Sequence, residues 1–436
     1  MKSNNVRICK WRSGARNAAV GAFVKREAIE PKAQVVAMKV LADIRKRGDR
    51  AVVASVRKFD GVDLNPTAFR VRPAEVEKLI RHVGASEKRA IQKARRNIVA
   101  FARSGMKRGW SKKTNRGGRL GEQFTPYERV GIYVPGGQAP LASTALMTAT
   151  LASVAGVQEI VACTPCDGQR RIHPVLVYAL VVAGATEIYR LGGIQAIGAM
   201  AYGTPTVSKV QKIVGPGNAF VTAAKRCVYG DVALDLVAGP SEICILADTS
   251  ADPRFVAADL ISQAEHGTGD EKALLVTTSE RLAGRVSQEL DRQASDCGRE
   301  KAIRTVMRRG MLLVVVSTLD EGIALCNQFA PEHLELMVRN PGQWAKRVTC
   351  AGAVFIGPWT PEAVGDFVAG PSHVLPTGGS AASFSGLTVD DFLRRTSVIS
   401  YTRADLMDAL PVIEAFGKIE GLDGHARSAG IRFDSP

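Results

Sequence analysis

The sequence predicts an α/β fold with parallel sheets, a helical N-terminal region and a small helical C-terminal segment. Residues 26–105 place apolar side chains at three- and four-residue spacing, as in AQVVAMKVLADIRKRGD and PAEVEKLIRHVGASEKRAIQKARRNIVAFARSG. After Arg129 the texture changes to short β-branched runs that end in Gly or Pro and lead into Ala-rich stretches: VGIYVPGG, EIVACTPC, EIYRLGG and KIVGPGN. Their separation suits strand, crossover helix and strand, hence a parallel sheet covered on both faces.

The other elements follow in order. The first 25 residues are acid-free and Arg-bearing, which predicts a disordered extension or an organelle-targeting segment. Trp110 to Arg119 turns to Gly, Ser, Lys and Asn, an exposed loop or hairpin and a candidate boundary. SEICILAD, KALLVTT, MLLVVVS and GAVFIGP read as a second α/β unit, and Val389 to Glu420 reads as helix, ending in the Gly-rich GLDGHARSAG. The length of 436 residues suits two to four packed units. Val130 to Gln158 carries no charge but contains PGG, a further proline and five Ser or Thr residues, so it reads as a buried turn and helix, not a membrane span.

Composition narrows the function classes. Lys and Arg number 58 against 42 acids, a formal net charge of +16, which raises a polyanionic partner. Lys88 to Arg119 holds twelve basic residues and no acid, yet its aromatics are only Phe101 and Trp110. That composition reads as a solvated basic face and not a nucleic-acid module. Eight cysteines spread thinly suggest a reducing compartment, and MKSNNVRICKWR has no apolar signal core, so a cytoplasmic location is expected. The lone Cys163-Thr164-Pro165-Cys166 reads as two incidental thiols at a strand end.

Several residues are suited to chemistry. Gln263 and His266 in SQAEHG are three apart and share one helix face, while Asp366 and His373 flank a Gly- and Pro-bearing loop. Imidazole nitrogens with carboxylate and amide oxygens suit zinc, although helix-end histidines satisfied by carboxylates would leave the same pattern. Glu332 and His333, just after Pro331 at an expected helix start, offer two proton-transfer groups or a helix-start acid and a surface histidine. There is no G-x-G-x-x-G, but PGGQAP, LGGIQA, GPGNAF and AGPSE follow strand-like runs, which together favour a nucleotide or phosphate.

Taken in order, RVGIYVPGGQAPL, LGGIQAIGAMAYGT, KIVGPGNAFV, DLVAGPSE, DLISQAEHG, NQFAPEHLEL, GDFVAGPSHVLPTGG, DFLRRTSV and EGLDGHAR resemble the histidinol dehydrogenases, from about Ala28 to Arg432. The resemblance implies a zinc-dependent, NAD-linked enzyme that oxidises L-histidinol through histidinal to L-histidine. It implies one zinc per subunit on Gln263, His266, Asp366 and His425, and a metal that also holds the substrate. His333 matches the base that takes the alcohol proton, and Glu332 the group that activates water. Ser241, His373 and Glu420 would contact substrate beside these ligands and His333, and Tyr133, Gln195 and Asn218 would contact NAD. The implied architecture is a homodimer of two incomplete Rossmann-like domains with shared active sites. Residues 26–129 and 237–385 would form the first domain with most of the zinc site, 130–236 the NAD domain, and 386–436 a segment completing the partner's site. A paralogue acting on another primary alcohol, such as a dihydroxypropane sulfonate, shares the same site pattern.

Overall fold

The computed structural model describes residues 6–434 except 15–16, 27–30, 137–139, 237–238 and 267–268. The described strands are β1 (Arg7–Lys10), β2 (Trp110–Lys113), β3 (Arg119–Pro126), β4 (Arg129–Tyr133), β5 (Glu159–Cys163), β6 (Glu187–Tyr189), β7 (Lys212–Val214) and β8 (Ala233–Leu234), then β9 (Glu242–Ala247), β10 (Lys272–Thr277), β11 (Met311–Val315), β12 (His333–Met337), β13 (Ala353–Ile356) and β14 (Leu393–Ser400). They form a parallel five-stranded sheet, β6-β5-β4-β7-β8, a parallel six-stranded sheet, β1-β11-β10-β9-β12-β13, and an antiparallel three-stranded sheet, β14-β3-β2. The chain divides into two compact units, residues 1–105 with 128–391 and residues 106–127 with 392–436. Both parallel sheets belong to the first unit.

The central strands are apolar throughout because helices cover both faces. On β9, Ile243, Ile245 and Ala247 enter one core while Cys244 and Leu246 enter the other, the period-two alternation of a doubly covered strand. The helices Pro31–Arg47 and Asp49–Phe59 bury Ala37, Leu41, Ile44 and Val52 in the same core as Val161 and Ile213 of the five-stranded sheet. They therefore pack with the sheet of residues 130–236, not with the 237–385 region as the expected boundaries had it.

The structure corrects three further readings. Arg7–Lys10 is an edge strand in register with Leu312–Val315, and Asn17 caps the helix Ala18–Val24, so residues 7–10 and 18–24 are folded elements and not a disordered extension. Their exposed edge pattern hid a pairing partner some 300 positions away. Glu332 and His333 do not start a helix: Ala330, at φ 45°, closes the helix Leu319–Phe329 in the left-handed region and turns the chain into β12. Residues 393–400 are strand, not helix, because Thr396, Val398 and Ile399 pair antiparallel with β3.

In the second unit, the β2-β3 hairpin and β14 precede two helices, Arg403–Glu420 and Asp423–Gly430. Thr402 and Asp405 form a reciprocal capping box at the start of the first. Among the described residues no helix is long and apolar enough to cross a membrane.

Candidate active site

Parallel βα units run each helix back against its strand, so helix C-termini gather where the strands begin. The helix Pro253–Ala264 follows β9 and delivers Gln263 at its last turn and His266 just beyond. A helix C-terminus carries partial negative charge from unpaired carbonyls and favours a cation by roughly 0.3–1 kcal/mol. Glu242 and His333 open β9 and β12 at the same edge. The site is thus built at the amino edge of the six-stranded sheet.

His333 is 3% exposed, with its ring tilted against Phe355 at 5.8 Å between centroids. Its Nδ1 lies 3.1 Å from the main-chain oxygen of Glu242, an atom that only accepts, so Nδ1–H donates and Nε2 keeps its lone pair. Burial depresses the imidazole pKa to about 4 despite the opposing charge of Asp366, so the ring is neutral at pH 7. Nε2 is buried with no hydrogen-bond partner and faces Asp366 Oδ1 at 3.7 Å. Two acceptors facing across that gap call for a donor or a cation between them.

Three acids surround this ring. Glu332 Oε2, 3.8 Å from His333 Nδ1, accepts from the Glu242 N–H at 2.9 Å. Burial drives the Glu332 pKa well above the carboxylate range, and the charges of Glu242 and Asp366 add to it. Glu362 Oε1 lies 3.6 Å from His333 Nδ1, and burial with the charges of Asp366 and Glu332 raises its pKa as well. The Glu362 N–H donates to Glu335 Oε1 at 2.8 Å, and Glu335 is hydrogen-bonded to Asp259, whose pKa burial lifts to about 6. Behind them, burial brings Glu242 to about 7 despite its ion pair with Arg26 at 2.9 Å.

Gln263 is fully buried, and its surroundings orient the amide: the nitrogen donates to Glu242 O and Glu362 Oε1, each at 3.2 Å. The amide oxygen then occupies the position 3.3 Å from His266 Nδ1. His373 approaches from the loop after Asp366, with Nδ1 3.1 Å from the Asp366 main-chain oxygen and Nε2 3.4 Å from Thr144 Oγ1. Ser372 Oγ donates to Met147 O at 3.3 Å, a second tie to the helix Ala142–Ala155. His333, Glu362 and Asp366 each offer a ligand atom within 4.8 Å of the others. That trio shares only Asp366 with the expected zinc set, but both sets are nitrogen and oxygen donors without thiolate, and the orphaned Nε2 and the helix C-terminus fit a divalent cation.

The five-stranded sheet presents its carboxyl edge instead. Tyr133, at the end of β4, accepts the Gly193 N–H on its hydroxyl at 3.1 Å, and burial pushes its pKa up to about 12. Gln195, 1% exposed, donates to Asp60 at 2.8 Å. The Asn218 side chain caps the helix Ala219–Cys227 by accepting from the Phe220 and Val221 N–H groups, each at 3.1 Å. Gly215, at φ 118°, packs so tightly that an added Cβ would lie 2.1 Å from the Tyr133 main-chain oxygen. Lys225 and Asp235 form a buried ion pair that holds both the Gly215 carbonyl and its N–H. Glycine backbone beside the N-termini of the helices Gly193–Tyr202 and Ala219–Cys227 fits a dinucleotide.

The structure brings Glu332, His333, Gln263, Asp366 and His373 into one cluster, and the charge of His266 reaches both other histidines. Ser241 immediately precedes β9, where its main-chain oxygen accepts from Lys272 at 3.1 Å. Glu420 and His425 stand five positions apart in the second unit, at the end of one helix and in the next. Glu362, Glu242, Thr144 and Asp60 were not singled out by sequence. Glu362 alone left a signal, standing four residues before Asp366 in PEAVGD.

The histidinol dehydrogenase family model matches residues 24–433. The histidinol dehydrogenase of Heliobacterium mobile is 44% identical over 396 residues, covering 91% of this chain and 92% of its own. That of a Synechococcus species is 43% identical over 397 residues, 91% of each chain. The crystal structure of histidinol dehydrogenase from Elizabethkingia anophelis superposes with a TM-score of 0.92 at 35% identity, covering 99% of this chain and 98% of that one. An acetylating aldehyde dehydrogenase from Geobacillus thermoglucosidasius, at a TM-score of 0.50 and 14% identity over 88% of this chain and 94% of its own, shares the fold alone. With sequence, fold and the cluster around His333 in agreement, the chain belongs to the histidinol dehydrogenase family.

Proposed function

We propose that the protein oxidises L-histidinol through L-histidinal to L-histidine, a four-electron reaction that uses zinc and NAD. The observation that carries this reading is the neutral, buried His333, whose Nε2 lone pair is held free by the Nδ1 hydrogen bond to Glu242 O. Zinc would supply a Lewis acid and an anchor for the substrate's nitrogens, and NAD a hydride acceptor. Gln263, His266 and Asp366, with His425, are the residues proposed to hold the metal. Tyr133, Gln195 and Asn218 are those proposed to meet the dinucleotide.

His333 Nε2 takes the hydroxyl proton as hydride leaves the carbinol carbon, giving the aldehyde. Glu332, its pKa raised by burial, takes a proton from water as that water adds to the aldehyde carbon, while His333 returns its proton to the carbonyl oxygen and is neutral again. The resulting gem-diol again gives a proton to His333 and loses its second hydride to yield the carboxylic acid. Ser241, His373 and Glu420 are proposed to position the substrate, with His373 held by Asp366 O and Thr144.

We further propose a cytoplasmic homodimer in which Glu420 and His425 serve the partner's site. The helix that ends at Glu420 exposes Val412, Phe416 and Ile419, an apolar row that suits burial against a second copy. Mixing two inactive variants, His333→Asn and His425→Ala, should restore about one quarter of wild-type activity, since half the re-sorted dimers carry one intact site. No restored activity would place His425 in its own subunit's site. Turnover of L-histidinol against 2,3-dihydroxypropane-1-sulfonate tests the substrate: NADH from the sulfonate and none from histidinol would transfer the chemistry to another alcohol.

A further inference from the structure

We propose that Asp60 makes the site selective for an unphosphorylated dinucleotide, accepting a hydrogen bond from a ribose hydroxyl where a 2′-phosphate would meet like charge. This rests on the dinucleotide reading given above. Asp60 closes the helix Asp49–Phe59, its own N–H donating to Val56 O at 2.9 Å. The Gln195 amide donates to Asp60 Oδ2 at 2.8 Å and fixes the carboxylate at the start of the helix Gly193–Tyr202. Gln195 is 1% exposed, so both its Nε2 and its Oε1 lie inside the fold. That Oε1 is itself buried and has no partner among the described residues, so the pair keeps acceptors in excess of donors. Gln195 stands two residues after Gly193, whose N–H donates to the Tyr133 hydroxyl at the end of β4, so the Gln195–Asp60 pair lies beside the sheet edge expected to carry the dinucleotide.

The cations near Asp60 are engaged elsewhere. Arg190, whose charge reaches Cys166 as that of Asp60 does, directs its donors to the Ala68, Arg70 and Arg170 carbonyls and to Glu75. Arg57 pairs with Asp63 at 2.5 Å, and Lys58 lies over the Phe59 ring. Among the described residues no ion pair to Asp60 is formed, and burial holds its pKa above the usual carboxylate range against the Gln195 hydrogen bond. An ionised carboxylate only accepts, so it matches the O–H donors of a ribose diol and repels a phosphate.

The test measures binding of NADH and NADPH to the full-length protein by nucleotide fluorescence, with kcat/KM for NAD and NADP as a second readout. Asp60→Ala should weaken NADH about tenfold while NADPH binding holds or tightens, the size expected for losing one charge-assisted hydrogen bond. Asp60→Asn keeps an acceptor for Gln195 and loses the charge, so it should recover NADPH binding while retaining much of the NADH affinity. It carries the test should Asp60→Ala fail to fold. An NADH-to-NADPH ratio unchanged within about twofold in both variants would overturn the assignment, as would a wild type that prefers NADPH; in both cases the dinucleotide reading stands. A wild type that binds neither nucleotide would overturn that reading and the Asp60 assignment with it.

Discussion

The two parallel sheets of the first unit use opposite edges. At the carboxyl edge of the five-stranded sheet, ligand-facing chemistry is mostly backbone: Gly193, Gly215 and helix N-termini, with Tyr133 and Gln195 buried among them. At the amino edge of the six-stranded sheet it is side chain: Glu242, Glu332, His333 and Glu362 are all buried, gathered where helices end and not where they begin. Helix polarity explains the division, because N-termini favour anionic phosphates and C-termini favour a cation. The helix Ala142–Ala155, which follows β4, joins the two through Thr144 to His373 and Met147 to Ser372. One sheet offers shape to the proposed cofactor, and the other offers titratable groups for the proposed proton transfers.

That division breaks most sharply at His333. His333→Asn should lower kcat by about 10³-fold, within the range for loss of a general base, while NADH fluorescence still reports normal nucleotide binding. Weakened NADH binding would show the two edges to be energetically inseparable. Asp366→Asn should lower bound zinc measured by elemental analysis and leave NADH affinity unchanged, whereas retained zinc would assign the metal to other residues.

The other edge is tested by Gly215→Ala. A Cβ 2.1 Å from the Tyr133 carbonyl oxygen, at φ 118°, should cost about 3 kcal/mol of stability and displace the dinucleotide edge, raising the KM for NAD more than that for histidinol. An equal rise in both constants would argue against separate edges.

Legibility in the sequence followed the same line. Strands β4, β5, β6, β7, β9, β10, β11 and β13 showed themselves as local apolar runs, because a covered parallel strand needs no polar face. β1, β12 and β14 were missed. The first and last are edge strands of their sheets, defined by distant partners, and β12 is led in by Pro331-Glu332, a helix-start composition whose direction is set by the turn at Ala330. The residues proposed as zinc ligands and base were singled out through resemblance, since Gln263, His333 and Asp366 lie far apart in sequence and meet only when β9, β12 and the loop after β13 converge. Glu362 and Asp60 stayed hidden because each acts through a neighbour that only folding provides, His333 for one and Gln195 for the other.

The smallest effect belongs to the second unit, whose first helix depends on its cap. Thr402→Ala should cost about 1 kcal/mol, seen as a modest drop in melting temperature with the NADH affinity unchanged. Asp405 supplies the pH signature. Burial opposes its ionisation, but hydrogen bonds from the Thr402 hydroxyl, the Thr402 N–H and the Gly118 N–H win and bring its pKa to about 2. A folded-state value below the unfolded value of about 3.9 gives stability that is complete above pH 4 and lost as the pH falls toward 2. The melting difference between wild type and Asp405→Asn should therefore shrink over that window, and a difference independent of pH would remove the carboxylate from the cap.

The central claim is that His333 and Glu332 carry one substrate through two oxidations at a metal-dependent site. NADH formed per L-histidinol consumed, measured with and without a zinc chelator, tests it most directly. About two NADH per histidinol, lost with the chelator and restored by zinc, is the predicted result. One NADH per histidinol with accumulating aldehyde, or a ratio of two that survives complete removal of the metal, would contradict it.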